Sequence, residues 1–267
     1  MATGDHVQGH ARAQRWRVPW LWRFVLQLAR VLVPLVCRLR VTTSMPYHLT
    51  ADALILAGNH IGNFDPVVTT AACARMKIAP RMMATGGLFR APVVGPLMRA
   101  AGHIPVDRGL ETVANAVPDA TDALAKGSIV FIYPEGRIGL DPGMWPERPR
   151  TGLARLALAT NTPVVPVAIW GSHEVIAYHG WSVMLRTLIS SLWRRPVVRI
   201  HFGAPVDLSG LTAGAVGHAQ RASDRVMDAI TAELAALRTE EPRLPRFRDH
   251  TRPLSVARAR TVKPYGR

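Results

Sequence analysis

A chain of 267 residues, 48% hydrophobic and 19% charged, is long enough for a full core and suits one large domain with or without an appendage. Its two cysteines, Cys37 and Cys73, lie in apolar surroundings without CxxC spacing, which argues against a disulfide framework or a cysteine metal site and for a reducing compartment. The ten histidines contain no HExxH, since His173-Glu174 lacks a second histidine at 177, so neither metal nor cofactor is expected.

The net charge of +15 is unevenly placed. Residues 1–40 carry +6 and residues 242–267 carry +7, which leaves +2 for the 201 residues between. A nearly neutral body with two basic ends attracts a polyanion, either nucleic acid or an anionic membrane face. Nucleic acid fits poorly, because the body shows no basic stripe and the tail offers only Phe247 and Tyr265 for stacking.

The first element in chain order is the apolar segment RWRVPWLWRFVLQLARVLVPLVCRLR, residues 15–40, with three of the seven tryptophans. It lacks the clean run and cleavage site of a secretory signal. Arg23 and Arg30 interrupt a spanning helix and Pro34 bends what remains. Arg23, Gln27 and Arg30 recur at i, i+4, i+7, one narrow polar stripe on an otherwise apolar helix. Tryptophans at one end and arginines along a stripe predict a helix lying in the headgroup layer. A helix packed on the body and a transmembrane anchor are the alternatives.

Strands are expected at 53–58, 103–106, 128–133, 163–169 and 197–202, and helices at 66–77, 111–126, 151–160 and 218–238. The last is clearest, with Ala222, Val226, Ile230, Leu234 and Leu237 on one face. Asp65-Pro66 reads as a helix start, with Asp65 as N-cap. This alternation predicts an α/β layered domain with a largely parallel sheet flanked by helices. Residues 1–45 are read as a basic membrane-associating helical segment and 46–239 as the main domain. Residues 240–267 are read as a Pro/Arg-rich disordered tail.

Three polar clusters follow strands: Asn59-His60, Asp107-Arg108 and Pro134-Glu135-Gly136-Arg137. Sites in open α/β sheets form at the carboxyl ends of strands, so the three are expected to converge. His60 suits a general base, provided its other ring nitrogen is held by an acceptor. Asp65 can supply that acceptor only if residues 61–64 turn, because on a continuous helix the pair would sit about 140° apart. Gly62 and Asn63 permit the turn. There is no GxSxG elbow and no cysteine in an electropositive setting, so the base is expected to activate a substrate hydroxyl. Arg108 and Arg137 would then hold an anionic group with a fork suited to phosphate. Taken separately, each arginine is more simply a solvated residue or a partner of Asp107 or Glu135.

NHIGNFD (59–65) resembles the NHxxxxD motif of the glycerolipid acyltransferases, the lysophosphatidic acid acyltransferase family. GHIPVDR (102–108), FIYPEGR (131–137) and TPVVPVAIWG (162–171) resemble its second, third and fourth blocks in order and spacing, and RPRTGLARLAL (148–158) resembles the connecting helix. The resemblance implies that His60, oriented by Asp65, takes the proton from a lysophospholipid hydroxyl. That oxygen would attack the thioester of acyl-coenzyme A or acyl-carrier protein, without a covalent acyl-enzyme. It implies that Asn59, Arg108, Glu135, Gly136 and Arg137 serve the substrate. The third block departs from the usual FPEGTR, with Ile138 at the usual arginine position, so Arg137 or Arg150 takes the phosphate contact. The acceptor expected first is 1-acylglycerol-3-phosphate. Glycerol-3-phosphate, another lysophospholipid, a lyso-aminolipid and a non-catalytic lipid-binding protein are the alternatives. The expected location is the cytoplasmic face of the cell membrane, peripheral or shallowly inserted.

Overall fold

The computed structural model describes residues 16–106 and 110–260. The described strands form one sheet in the order β1 (Arg38–Thr43), β7 (Val197–Phe202), β6 (Val164–Trp170), β2 (Leu54–Gly58), β5 (Ile129–Ile132), β3 (Arg81–Thr85), β4 (Ile104–Val106). Every pairing is parallel except β6 with β7, so the sheet is mostly parallel but mixed.

The central strands are apolar throughout because helices cover both faces, and β2 (LILAG) is buried at every position. Side chains alternate between two cores. Leu54 and Leu56 of β2 and Val165 and Val167 of β6 face α1 (Trp20–Val36) and α2 (Asp65–Arg75). Ile55 and Ala57 face α5 (Leu110–Ala125), α6 (Gly152–Thr160) and α8 (His218–Leu237). Helix α8 buries Ala222, Val226, Ile230 and Leu234, as its period predicts.

Several segments depart from the expectations. The N-terminal helix runs through Pro34 but ends at Val36, and Arg38–Thr43 is an edge strand instead. No boundary falls at residue 45, because Trp22, Leu26 and Val33 of α1 belong to the main core and β1 to the main sheet. Strand β3, the short helices α3 (Gly86–Arg90) and α4 (Val94–Ala100), and α7 (Trp181–Arg194) carry no sequence expectation.

The tail is not disordered over residues 241–260. Arg252 is buried and donates to the carbonyls of Ile61 and Gly139. Ser255 N–H reaches the Leu140 carbonyl at 2.9 Å, and Arg258 O accepts from Arg148 N–H at 2.9 Å. The tail lacks a hydrophobic period because it is held by arginine and backbone hydrogen bonds rather than by an apolar stripe.

Candidate active site

Strands β2 and β5 are parallel neighbours, so the clusters that follow them, at 59–60 and 134–137, meet at one sheet edge. Asn59 continues the β2–β6 ladder with its side chain: Nδ2 donates to the Ile169 carbonyl at 2.9 Å and Oδ1 accepts from Ile169 N–H at 2.7 Å. It is fully buried and does not line the large cavity beside His60, where a substrate contact was expected; its side chain serves as a strand lock.

The chain then turns at residues 61–64, with Asp65 N–H on the Gly62 carbonyl at 3.2 Å. Asn63 fixes the turn by donating to the carbonyls of Ala177 and Tyr178. The turn brings His60 Nδ1 to 2.8 Å from Asp65 Oδ2. Asp65 is fully buried and is the first residue of α2 rather than its cap. Its carboxylate turns back: Oδ2 also accepts from Ile61 N–H at 2.6 Å and Gly62 N–H at 2.9 Å, and Oδ1 accepts from Ser172 Oγ. With so many donors on it, the carboxylate is fixed as an acceptor, and His60 Nδ1 must carry the proton. Nε2 is left as a lone-pair nitrogen without a hydrogen-bond partner among the described residues. The imidazole stacks on Tyr133, with centroids 4.2 Å apart and planes 20° apart.

Glu135 does not line the cavity on which His60 opens, where a role in shaping the acceptor pocket was expected. Its Oε1 accepts from His60 N–H at 3.0 Å and its Oε2 from Glu147 N–H at 2.9 Å. Burial pushes its carboxyl up to about 8, although both N–H groups pull the other way. Gly139 N–H closes the arrangement on the His60 carbonyl at 2.8 Å. Glu135 is thus a clamp on the backbone of the histidine, and its own charge is the costly part of that clamp.

His60 lines a cavity of about 1880 Å³. Most of the wall is apolar, supplied by α1, by Met82 and Met83 of β3, and by Leu97 and Met98 of α4. His103 in the wall is held neutral: burial lowers it to about 4, and Arg81 adds to the effect. Next to His60 the wall becomes polar, with Gly136, Arg137 and Arg150. Gly136 has φ +69°, and a Cβ there would stand 3.0 Å from Arg150 Nε, so glycine lets the arginine lie across the turn.

The two arginines differ. Arg137 is committed to the buried Glu147, with Nη2 at 2.8 Å and Nε at 3.2 Å from Oε2, rather than to Glu135; Asp107 lies outside the described residues. The exposed guanidinium of Arg150 has no hydrogen-bond or ion-pair partner among the described residues. Arg108 lies outside the described residues. Neither cysteine is a rival nucleophile: both are buried, and burial pushes the Cys37 thiol up to about 11.

Sequence reasoning missed Ser172, Glu147, Tyr133 and Arg252. Ser172 had a readable signal, since it follows β6 as His60 follows β2; Gly171 before it has φ +90°, where a Cβ would strike the Val197 carbonyl. Arg252 had none.

Residues 40–170 match the family model described as Acyltransferase. An uncharacterized protein of Mycobacterium leprae is 34% identical over 136 residues, 47% of this chain and 34% of its own. A 1-acyl-sn-glycerol-3-phosphate acyltransferase of Haemophilus influenzae is 27% identical over 131 residues, 48% of this chain and 52% of its own. The chain spans about a third of the length of the first curated relatives it matches. The crystal structure of the 1-acyl-sn-glycerophosphate (LPA) acyltransferase PlsC from Thermotoga maritima has the same fold, with a TM-score of 0.54 and 18% identity. That match covers 80% of this chain and 81% of that one.

Proposed function

We propose, from a chain whose residues 40–170 match the Acyltransferase family model, an O-acyltransferase that moves a fatty acyl group from acyl-coenzyme A or acyl-carrier protein to the free hydroxyl of a lysophospholipid. The acceptor read first is 1-acylglycerol-3-phosphate, giving phosphatidic acid. The observation that carries the reading is the His60–Asp65 pair opening on a long apolar cavity with arginines beside it.

The chemistry follows from that order. The acceptor hydroxyl lies against His60 Nε2, which takes its proton as the oxygen attacks the thioester carbonyl. Asp65 stabilises the imidazolium that forms, and such a base contributes about 10²–10⁴ in rate. The tetrahedral intermediate collapses with cleavage of the C–S bond, and the departing thiolate recovers the proton from His60. Acyl chains occupy the apolar wall. Arg150 holds the acceptor phosphate, with Arg137 beside it as a charge already shared with Glu147.

Acceptor and product both live in a bilayer, and the N-terminal segment supports docking there. No helix among the described residues is long and apolar enough to cross a membrane. Yet α1 exposes Trp20, Phe24, Val31 and Leu35 beside Arg23 and Arg30. We therefore read α1 as lying in the headgroup layer of an anionic membrane, on its cytoplasmic face.

The test is thiol release from a long-chain acyl-coenzyme A with lysophosphatidic acid in mixed micelles, wild type beside His60→Ala. Acceptor-dependent release that vanishes in the variant is the expected result. Equal activity in both would overturn the mechanism. Activity restored only by a different lysolipid or by an acyl-carrier-protein donor would replace the substrate and keep the chemistry.

A further inference from the structure

We infer that α7 is a second bilayer-docking helix, which forms with α1 one two-helix platform on an anionic lipid surface. The inference rests on the membrane reading of α1 above and extends it to a segment of the chain that the reading does not include.

Helix α7 turns polar groups as well as Leu188 to the body and leaves its largest apolar side chains outside. Its body side carries polar groups: Thr187 Oγ1 accepts from Ala177 N–H at 3.0 Å, and Ser191 is buried with Oγ on the Val175 carbonyl at 3.2 Å. Its outer side is apolar, with Trp181 81% and Trp193 76% exposed, and Leu185, Ile189 and Leu192 exposed between them. These five residues recur at i, i+4, i+8, i+11 and i+12, one stripe on one face. Trp20, Phe24, Leu28, Val31 and Leu32 of α1 are exposed at the same spacing. A helix that spends a serine and a threonine on the body and leaves two tryptophans, two leucines and an isoleucine outside is built for an apolar partner.

The two stripes belong to one surface. Val25, Ala29 and Val36 of α1 and Leu188 of α7 pack on the same core, so both helices cover the same side of the sheet with their stripes turned away from it. Their C-terminal ends are tied: Arg195, which ends α7, donates from Nη2 to the Pro34 carbonyl in the last turn of α1 at 2.7 Å.

Charge selects the partner. Residues 16–51 and 175–206 contain no aspartate or glutamate, while Arg23, Arg30, Arg186 and Arg194 stand on or end the two helices. Exposed tryptophans at helix ends with arginines, of which Arg194 faces a carboxylate at 4.0 Å (Glu174), match the anionic headgroup layer. The cavity argues for lipid over protein. Phe24 on α1 and Leu88, Val94 and Leu97 on α3 and α4 are exposed and also line it, so its apolar mouth opens beside the platform. A bilayer on this face delivers an amphiphile to the mouth, whereas a protein seated there would cover it.

The experiment uses the full chain and vesicles of mixed phosphatidylcholine and phosphatidylglycerol. A fluorophore is placed on the thiol introduced by Leu192→Cys in α7 and, separately, by Leu28→Cys in α1; the native cysteines are buried. Doxyl-labelled lipid is expected to quench both probes. Leu185→Ser with Trp193→Ser is expected to weaken vesicle partition by about tenfold or more at unchanged melting temperature. Quenching of the α1 probe alone would overturn the inference and leave the docking of α1 standing. Quenching of neither would sink the docking reading and the inference with it. An unquenched α7 probe, together with a lipid-free dimer that the double variant turns monomeric, would assign the face to self-association and refute the platform.

Discussion

Replacing Asp65 by asparagine separates the two jobs of the buried carboxylate. Asp65→Ala is the cruder change: it would strand the N–H groups of Ile61 and Gly62, the Ser172 hydroxyl and His60 Nδ1–H, at about 1–3 kcal/mol for each buried donor. Much of the stability of an ordinary domain would go with them. Asn has the same shape and one carbonyl oxygen. Because three of the four donors converge on Oδ2, that oxygen belongs there in the variant. The new NH2 group then faces Ser172 Oγ, which can rotate to accept. The turn and the imidazole tautomer are kept, and only the negative charge is lost.

That charge matters when His60 becomes an imidazolium. Two unit charges with centres about 4 Å apart interact by about 4 kcal/mol at an effective dielectric near 20, which corresponds to about 10³ in rate. In the acyl-coenzyme A thiol-release assay, Asp65→Asn should therefore lower kcat by about 10²–10³, with KM and melting temperature nearly unchanged. Added to His60→Ala it should cost nothing further, because the carboxylate acts only through the histidine. An Asp65→Asn enzyme within a few-fold of wild type would refute the orienting pair. A full multiplicative loss in the double variant would show that Asp65 acts by another route.

Three other expectations follow from neighbouring contacts. Glu135 keeps its proton in the folded chain up to about 8 but loses it near 4.5 when unfolded, so the folded state should lose stability as pH rises from about 4.5 through 8; Glu135→Gln should flatten that slope in melting temperatures, and parallel slopes would contradict it. Arg150→Gln should raise KM about tenfold for a phosphate-bearing acceptor while leaving the melting temperature alone; an equal effect on an uncharged monoacylglycerol would remove the arginine from phosphate binding. Truncation after Glu240 discards the two charge-assisted hydrogen bonds of Arg252 and should lower the melting temperature by on the order of 10 °C, whereas an unchanged value would mean the tail does not pack.

The parts legible in the sequence are those that repeat a local rule. Strands β2, β4, β5, β6 and β7 and helices α2, α5, α6 and α8 fall within a residue or two of expectation, because apolar runs and a 3.6-residue period report burial directly. The His60–Asp65 pair was readable because its partners lie five residues apart across a turn that Gly62 and Asn63 allow. Strand β1 was hidden by its position: RLRVTT exposes Arg38, Arg40 and Thr42 at a sheet edge, so its alternation looked like the end of a charged helix. Helix α7 does carry a helical period, but a period says which residues share a face and not which face the body takes.

What no local rule reaches is the support of the turn that carries His60 and Asp65, because each of its contacts spans a long stretch of chain. Ile169 locks Asn59 from 110 residues away, Ser172 holds Asp65 from 107, Glu135 grips His60 from 75, and Arg252 binds the Ile61 carbonyl from 191. Asn59, Ser172, Glu135 and Arg252 each bring a polar side chain out of water and spend it on a backbone group or on the Asp65 carboxylate. Such burial is costly unless the hydrogen bonds are completed, so these residues can persist only as a set. A sequence displays them as an asparagine, a serine, a glutamate and an arginine in four unrelated settings. The fold makes them one device, whose outcome is a histidine with one nitrogen fixed and the other turned to the cavity.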